Sequence, residues 1–208
     1  MRIVRNTVDV TNVALSGVGG QGVLTLAEVL AKAAMLDGHN VRVGEIHGMA
    51  QRGGHVLCTI RIGEDAKGPI IDPGTAHLVV GFEPIETLRE IHLVAPNGCV
   101  IMSSHILLPV AVSMDQGTYP DHDAIMSATK RFTTNVIEFD AMELAEKAGS
   151  PNSLNMVMLG AIISTELVPV TKDSALQSLY DTVPQQFQQV NSAAFNLGFA
   201  QVGGMLRL

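Results

Sequence analysis

Short runs of consecutive apolar residues alternate along this chain with stretches whose apolar positions recur every three or four residues. Residues 12–16, 41–46, 55–62, 77–81, 98–103 and 135–139 form the first kind and predict strands. Residues 21–37 form the second kind. There Val23, Leu24, Ala27, Leu30, Ala31 and Ala34 share a helix face, Glu28 and Lys32 lie outside it, and Asp37-Gly38 supplies a stop. Pro84 opens a helix over 84–91, Asp140 precedes one over 141–148 that ends at Gly149, Thr171 caps 172–182, and Pro184 begins the last helix. Leu154 to Val170 reads as one buried helix, interrupted by Asn155, Ser164, Thr165 and Glu166 and so unlike a membrane span, with the Asn and Ser side chains of 151–155 as its caps. The turn-rich stretch 63–74 reads as a surface hairpin, and 113–121, with Gly117 and Pro120, as a loop at an edge or interface. The alternation predicts an α/β fold: a three-layer α/β/α, Rossmann-like domain with a mixed, mostly parallel sheet. No repeat, low-complexity tract or linker divides residues 1–208, so a single domain is expected.

Two glycine-rich turns follow predicted strands. The first, Gly17-Val18-Gly19-Gly20-Gln21-Gly22, has the GxGxxG form, and Glu45 lies near where a ribose-binding carboxylate is expected, which keeps a stand-alone NAD-dependent enzyme in view. The alternative is a tight strand-to-helix turn. The second, Gly48-Met49-Ala50-Gln51-Arg52-Gly53-Gly54, has no counterpart in a dinucleotide motif. Together they suggest one cradle in which backbone N–H groups approach an anion or a neighbouring backbone. His47 and His55 flank the second turn, and each either orients a ligand or ends a strand; His39, His77, His92, His105 and His122 read as surface or turn residues.

The pairing of GxGGQG with HGMAQRGG resembles the gamma domain of the 2-oxoacid:ferredoxin oxidoreductases, and the HGMAQRGG form is most similar to the small subunits of the indolepyruvate enzymes. The resemblance extends to Arg61-Ile62-Gly63, to Gly81-Phe82-Glu83-Pro84-Ile85-Glu86 and to Asn191-Ser192-Ala193-Ala194-Phe195. It implies a subunit that completes an active site for oxidative decarboxylation of a 2-oxoacid to an acyl-CoA and is inactive alone, with indolepyruvate or another arylpyruvate favoured as the 2-oxoacid and a 2-oxoglutarate or pyruvate enzyme as the alternative. Thiamine diphosphate, magnesium and [4Fe-4S] clusters would reside on a large alpha subunit, coenzyme A would be a co-substrate, and ferredoxin would take the electrons from the complex. It places Arg52, His47 and Gln51 as candidate catalytic residues and Gly17, Gly19, Gly20, Gln21, Gly22, Gly53 and Gly54 as candidate cofactor-binding positions. Arg52 is the first choice for an anionic contact, because a guanidinium pairs bidentately with carboxylate or phosphate; its alternative is a bond that holds the loop.

Composition bears on the partners. Charged residues make up 16% of the chain against about 25% in ordinary soluble domains, and the mean hydropathy is +0.28, which suggests surface buried against another subunit. A net charge of −7 and no Lys/Arg cluster argue against nucleic acid. Cys58 and Cys99 are too few for an iron–sulfur cluster or a structural zinc, and both lie in apolar runs. The opening residues, Met1 to Asn6, have no long apolar core and no small-residue cleavage site, so a cytoplasmic protein is expected.

Overall fold

A computed structural model describes residues 10–47, 53–114 and 117–206. Six strands form one sheet: β1 (Thr11–Val18), β2 (Val41–His47), β3 (His55–Ile62), β4 (Ala76–Gly81), β5 (Val94–Ser103) and β6 (Asn135–Phe139). They lie side by side as β2-β3-β1-β4-β5-β6. The pairs β1–β4, β4–β5 and β5–β6 are parallel, whereas β3 runs antiparallel to both β1 and β2. Five strands therefore point one way and β3 alone is reversed, and the carboxyl ends of β1, β2, β4, β5 and β6 share an edge.

Alternation along the strands sends side chains to two cores. Val13 and Leu15 join the larger one with α1 (Val23–Leu36), α5 (Ala141–Ala148), α6 (Leu154–Ser164), α7 (Lys172–Thr182) and α8 (Gln185–Leu206). Ala14 points the other way, into a smaller core with Val79, Val100 and Met102, roofed by Leu88 of α2 (Pro84–Glu90) and Ile125 of α4 (His122–Lys130). A short α3 (Val110–Ser113) follows β5. No helix among the described residues is long and apolar enough to cross a membrane.

Local signals act where expected. Asp140 and Thr171 accept the N-cap bonds of α5 and α7, Gly149 ends α5 at φ 114°, and Lys32 pairs with Glu28 on the outer face of α1 at 2.7 Å. Four expectations are corrected. The run from Leu154 to Val170 is one buried helix only as far as Ser164, after which Thr165 bonds back to the Ile162 carbonyl, Glu166 takes φ 56° and the chain turns toward Pro169, which helix geometry excludes. Stretch 63–74 is not a hairpin, because β1 lies between β3 and β4; the connection crosses the sheet end, tied by Arg61 to the Gly68 carbonyl. Ser153 makes no cap bond to α6; Ser150 caps the preceding 3-10 turn, and Asn155 sits inside the helix. His77 is a half-buried strand residue, whose Nδ1 accepts the Asn12 N–H at 3.0 Å, and burial lowers its pKa.

Candidate active site at the carboxyl edge of the sheet

The first glycine turn leaves β1 and enters α1. Gly22 stands before the helix at φ 81°, Gly20 is at φ 105°, and the Gln21 side chain closes the turn: its Oε1 accepts the Val18 N–H at 2.8 Å and its Nε2 donates to the Phe82 carbonyl at 3.2 Å. Gln21 thus stitches the end of β1 to the end of β4. Gly17 is glycine for packing reasons, since a Cβ there would lie 2.8 Å from Val23 and 2.9 Å from both Gln21 and Phe82. Gly22 has the left-handed backbone and a crowded flank, with a Cβ meeting Asn155 Nδ2 at 2.6 Å. At Gly20 and Gly53 the backbone is left-handed but no heavy atom would touch a Cβ.

The two turns meet. Gly19 N–H donates to the Gly54 carbonyl at 2.8 Å and Gly53 N–H to the Gly19 carbonyl at 3.3 Å. Gly19, Gly20, Gln21, Gly22, Gly53 and Gly54 thereby form one continuous rim, whereas Gly17 is buried within β1 behind it. The backbone of His47 ends β2 opposite Val56, which in turn faces Gly17. Gln51 and Arg52, with the rest of 48–52, lie outside the described residues.

Behind the rim stands a polar cluster around His55, for which the sequence leaves open a ligand-orienting role or the end of a strand. His55 Nδ1 meets Glu86 Oε2 at 2.5 Å and its Nε2 meets Glu90 Oε1 at 3.0 Å. Glu86 also pairs with Arg89 at 3.2 Å. Glu83, fully buried, accepts the Glu86 N–H at 3.0 Å and the Tyr119 O–H at 2.5 Å; burial and this carboxylate push the Tyr119 phenol upward. Tyr119 so fastens the 117–121 segment to the start of α2. The sequence signal was the acid pair Glu83 and Glu86 around Pro84, which marks a helix start but not its partners.

The strand order removes the dinucleotide reading. That motif needs its acidic residue at the end of a strand directly beside the first. Here β3 intervenes, and Glu45 pairs across Cys58 with Leu15, two strands and about 10 Å away. The donor set does not fit a metal cluster either: Cys58 and Cys99 are buried thiols pushed up to about 12 by burial, with Glu45 adding to the shift at Cys58. Among the described residues, no three His, Cys, Asp or Glu side chains are grouped to hold a metal.

Residues 12–201 match the family model described as pyruvate ferredoxin/flavodoxin oxidoreductase. The indolepyruvate oxidoreductase subunit IorB of Pyrococcus horikoshii is 38% identical over 198 residues, which cover 95% of this chain and 98% of that protein. The same-named subunit of Methanothermobacter thermautotrophicus is 42% identical over 188 residues, covering 90% and 95%. The crystal structure of a keto/oxoacid ferredoxin oxidoreductase gamma subunit from Geobacter sulfurreducens shares the fold, with a TM-score of 0.68 at 20% identity over 92% of this chain and 98% of that one. With a matched model over nearly its whole length and relatives matched end to end, this chain belongs to the pyruvate ferredoxin/flavodoxin oxidoreductase family.

Proposed function

We propose that this chain is the small subunit of an indolepyruvate ferredoxin oxidoreductase, and that its glycine rim faces the active site of the assembled enzyme. The observation that carries the reading is the end-to-end likeness to the indolepyruvate oxidoreductase subunits, 38% identity with 98% of the Pyrococcus protein covered. The bonded pair of glycine turns supports it, because both halves of the family's double motif contribute to one surface.

In this reading the large subunit holds thiamine diphosphate with its magnesium and the iron–sulfur clusters, which supply decarboxylation and one-electron transfer to ferredoxin. This chain binds and orients. Arg52, within the second glycine motif, pairs with a carboxylate or phosphate of the 2-oxoacid or of coenzyme A, and His47 and Gln51 of the same motif are further candidates for contact. The exposed apolar residues Leu24, Ile46, Ile106, Leu107 and Leu108 all lie near the same carboxyl edge and form the surface that the large subunit covers.

The test is assembly with the large subunit and an assay of arylpyruvate-dependent dye reduction. Arg52→Ala should lower kcat/KM about 10- to 100-fold while the complex still forms. Normal turnover in a normally assembled complex removes Arg52 from the site. A chain that forms no complex with the large subunit and binds NAD by itself overturns the whole reading.

A further inference from the structure

We propose that a cavity beside the glycine rim, between α1, the 150–155 segment and the joint of α7 with α8, seats an extended, uncharged segment of the large subunit. The proposal rests on the reading of this chain as a small subunit given above.

The cavity has a volume of about 440 Å³, and its lining mixes two kinds of surface. Thr25, Asn152 and Asn191 bring a hydroxyl and two amides, whereas Pro184, Phe187 and Val190 bring apolar surface. Among the described residues that line it there is no Lys or Arg, and the one acid, Glu28, is paired with Lys32 at 2.7 Å. The phosphates of coenzyme A and the carboxylate of a 2-oxoacid would find no cation there, so both are poor occupants. What the lining offers is neutral hydrogen bonding. The Asn152 side chain and the Thr25 hydroxyl have no partner among the described residues, and Asn191 uses only its Nδ2, which donates to the Phe187 carbonyl at 2.8 Å. A side-chain amide presents one donor and one acceptor group, as a peptide group does, so amides in a cavity suit an extended backbone. Phe187, 49% exposed, adds aromatic surface for an apolar side chain of that segment.

The surroundings decide between a peptide segment and a free neutral solute. Helix α8 has no Asp, Glu, Lys or Arg in its 22 residues, where about five are expected at the ordinary share. Its exposed positions Gln186, Gln189, Ala193, Asn196 and Ala200 recur every three or four residues and form one uncharged stripe alongside Val190. On the other side, Asn155 also lines the cavity, and its Nδ2 donates to the Gly22 carbonyl at 3.4 Å, so the cavity adjoins the rim. Leu24, next to Thr25, is exposed and belongs to the apolar surface assigned to the large subunit. The cavity therefore lies between that surface and an uncharged helix face, and a subunit seated on the rim covers both. A free solute requires neither.

The experiment uses the complex with the large subunit. Cys58 and Cys99 are buried and are the only cysteines of this chain, so Asn152→Cys supplies its one exposed thiol without removing a side-chain hydrogen bond. A thiol-directed photo-cross-linker attached there before assembly should join one contiguous peptide of the large subunit, identified by mass spectrometry. Phe187→Ala should weaken assembly about tenfold and Asn152→Ala about threefold, with the unfolding midpoint of the free subunit nearly unchanged. The cross-link leaves Phe187 intact and so decides by itself if Phe187→Ala does not fold. In a complex that assembles and turns over arylpyruvate, scattered or missing cross-links, or a folded Phe187→Ala that assembles as tightly as the parent, overturn the proposal and leave the subunit reading standing. A parent chain that forms no complex with the large subunit overturns that reading and the proposal with it.

Discussion

Gly20 and Gly22 stand two residues apart in one turn, yet they are glycine for different reasons. Gly20 needs only its φ of 105°, since its flank is open, whereas Gly22 combines φ 81° with an Asn155 side chain 2.6 Å from any Cβ. Gly20→Ala should cost about 1–2 kcal/mol of stability from the backbone alone, and Gly22→Ala roughly 3 kcal/mol or more, since Asn155 must also move. Urea unfolding of the two variants checks this, and equal costs refute the assignment of Gly22 to packing. The cysteines make a second residue-scale prediction. Their thiols ordinarily titrate near 9.0 and are pushed up to about 12 in the fold. The folded chain therefore keeps protons that the unfolded chain releases. The stability tied to them is fully present below pH 9 and is lost as pH rises toward 12. Cys99→Ala should make the alkaline decline shallower, by up to about 1.4 kcal/mol per pH unit, in unfolding measured across that range. Native thiols should also stay unlabelled by a neutral-pH alkylating reagent.

Helices α6 and α8 meet with almost no side chain between them. A Cβ on Gly160 would lie 2.0 Å from the Phe195 carbonyl oxygen, and one on Gly198 1.9 Å from that of Val157. Both obstacles are backbone, which cannot swing away. Gly160→Ala and Gly198→Ala should each cost roughly 3 kcal/mol or more, read as a lowered urea midpoint or loss of folded protein; a cost below about 1 kcal/mol shows that the helices can separate freely. This contact also shows why elements were legible in sequence and their arrangement was not. The α1 face, its Asp37-Gly38 stop and the Asp140 and Thr171 caps are encoded within a few residues of where they act. The placement of β3 between β2 and β1 has no local signal, nor does the meeting of Asn155 with Gly22, 133 residues apart. The same division holds at the candidate site. The two glycine turns announce themselves by composition and spacing, whereas the polar cluster joins His55 to acids 31 and 35 residues later through strand order and the docking of α2.

At the scale of the whole molecule, the shortage of charge leaves large apolar side chains exposed. Only 33 residues are Asp, Glu, Lys or Arg, and several of the exposed apolar side chains lie near the carboxyl edge, where Ile46 is 64% and Leu108 52% exposed. Ile46 precedes the second turn on β2, and Leu108 follows β5 at the same edge of the sheet. An apolar margin around a polar rim suits an interface that must exclude water from reacting groups while leaving the rim free to reach them. The isolated subunit should therefore self-associate and bind a hydrophobic dye, and both signals should fall when the large subunit is added in equal amount. Ile46→Lys with Leu108→Lys should suppress the dye signal in the free subunit and weaken assembly, while leaving its unfolding midpoint nearly unchanged, because neither side chain belongs to a core. A free subunit that is monomeric and dye-silent, or a double variant that assembles as tightly as the parent, would mean that the apolar margin stays in water and that the large subunit approaches from another side.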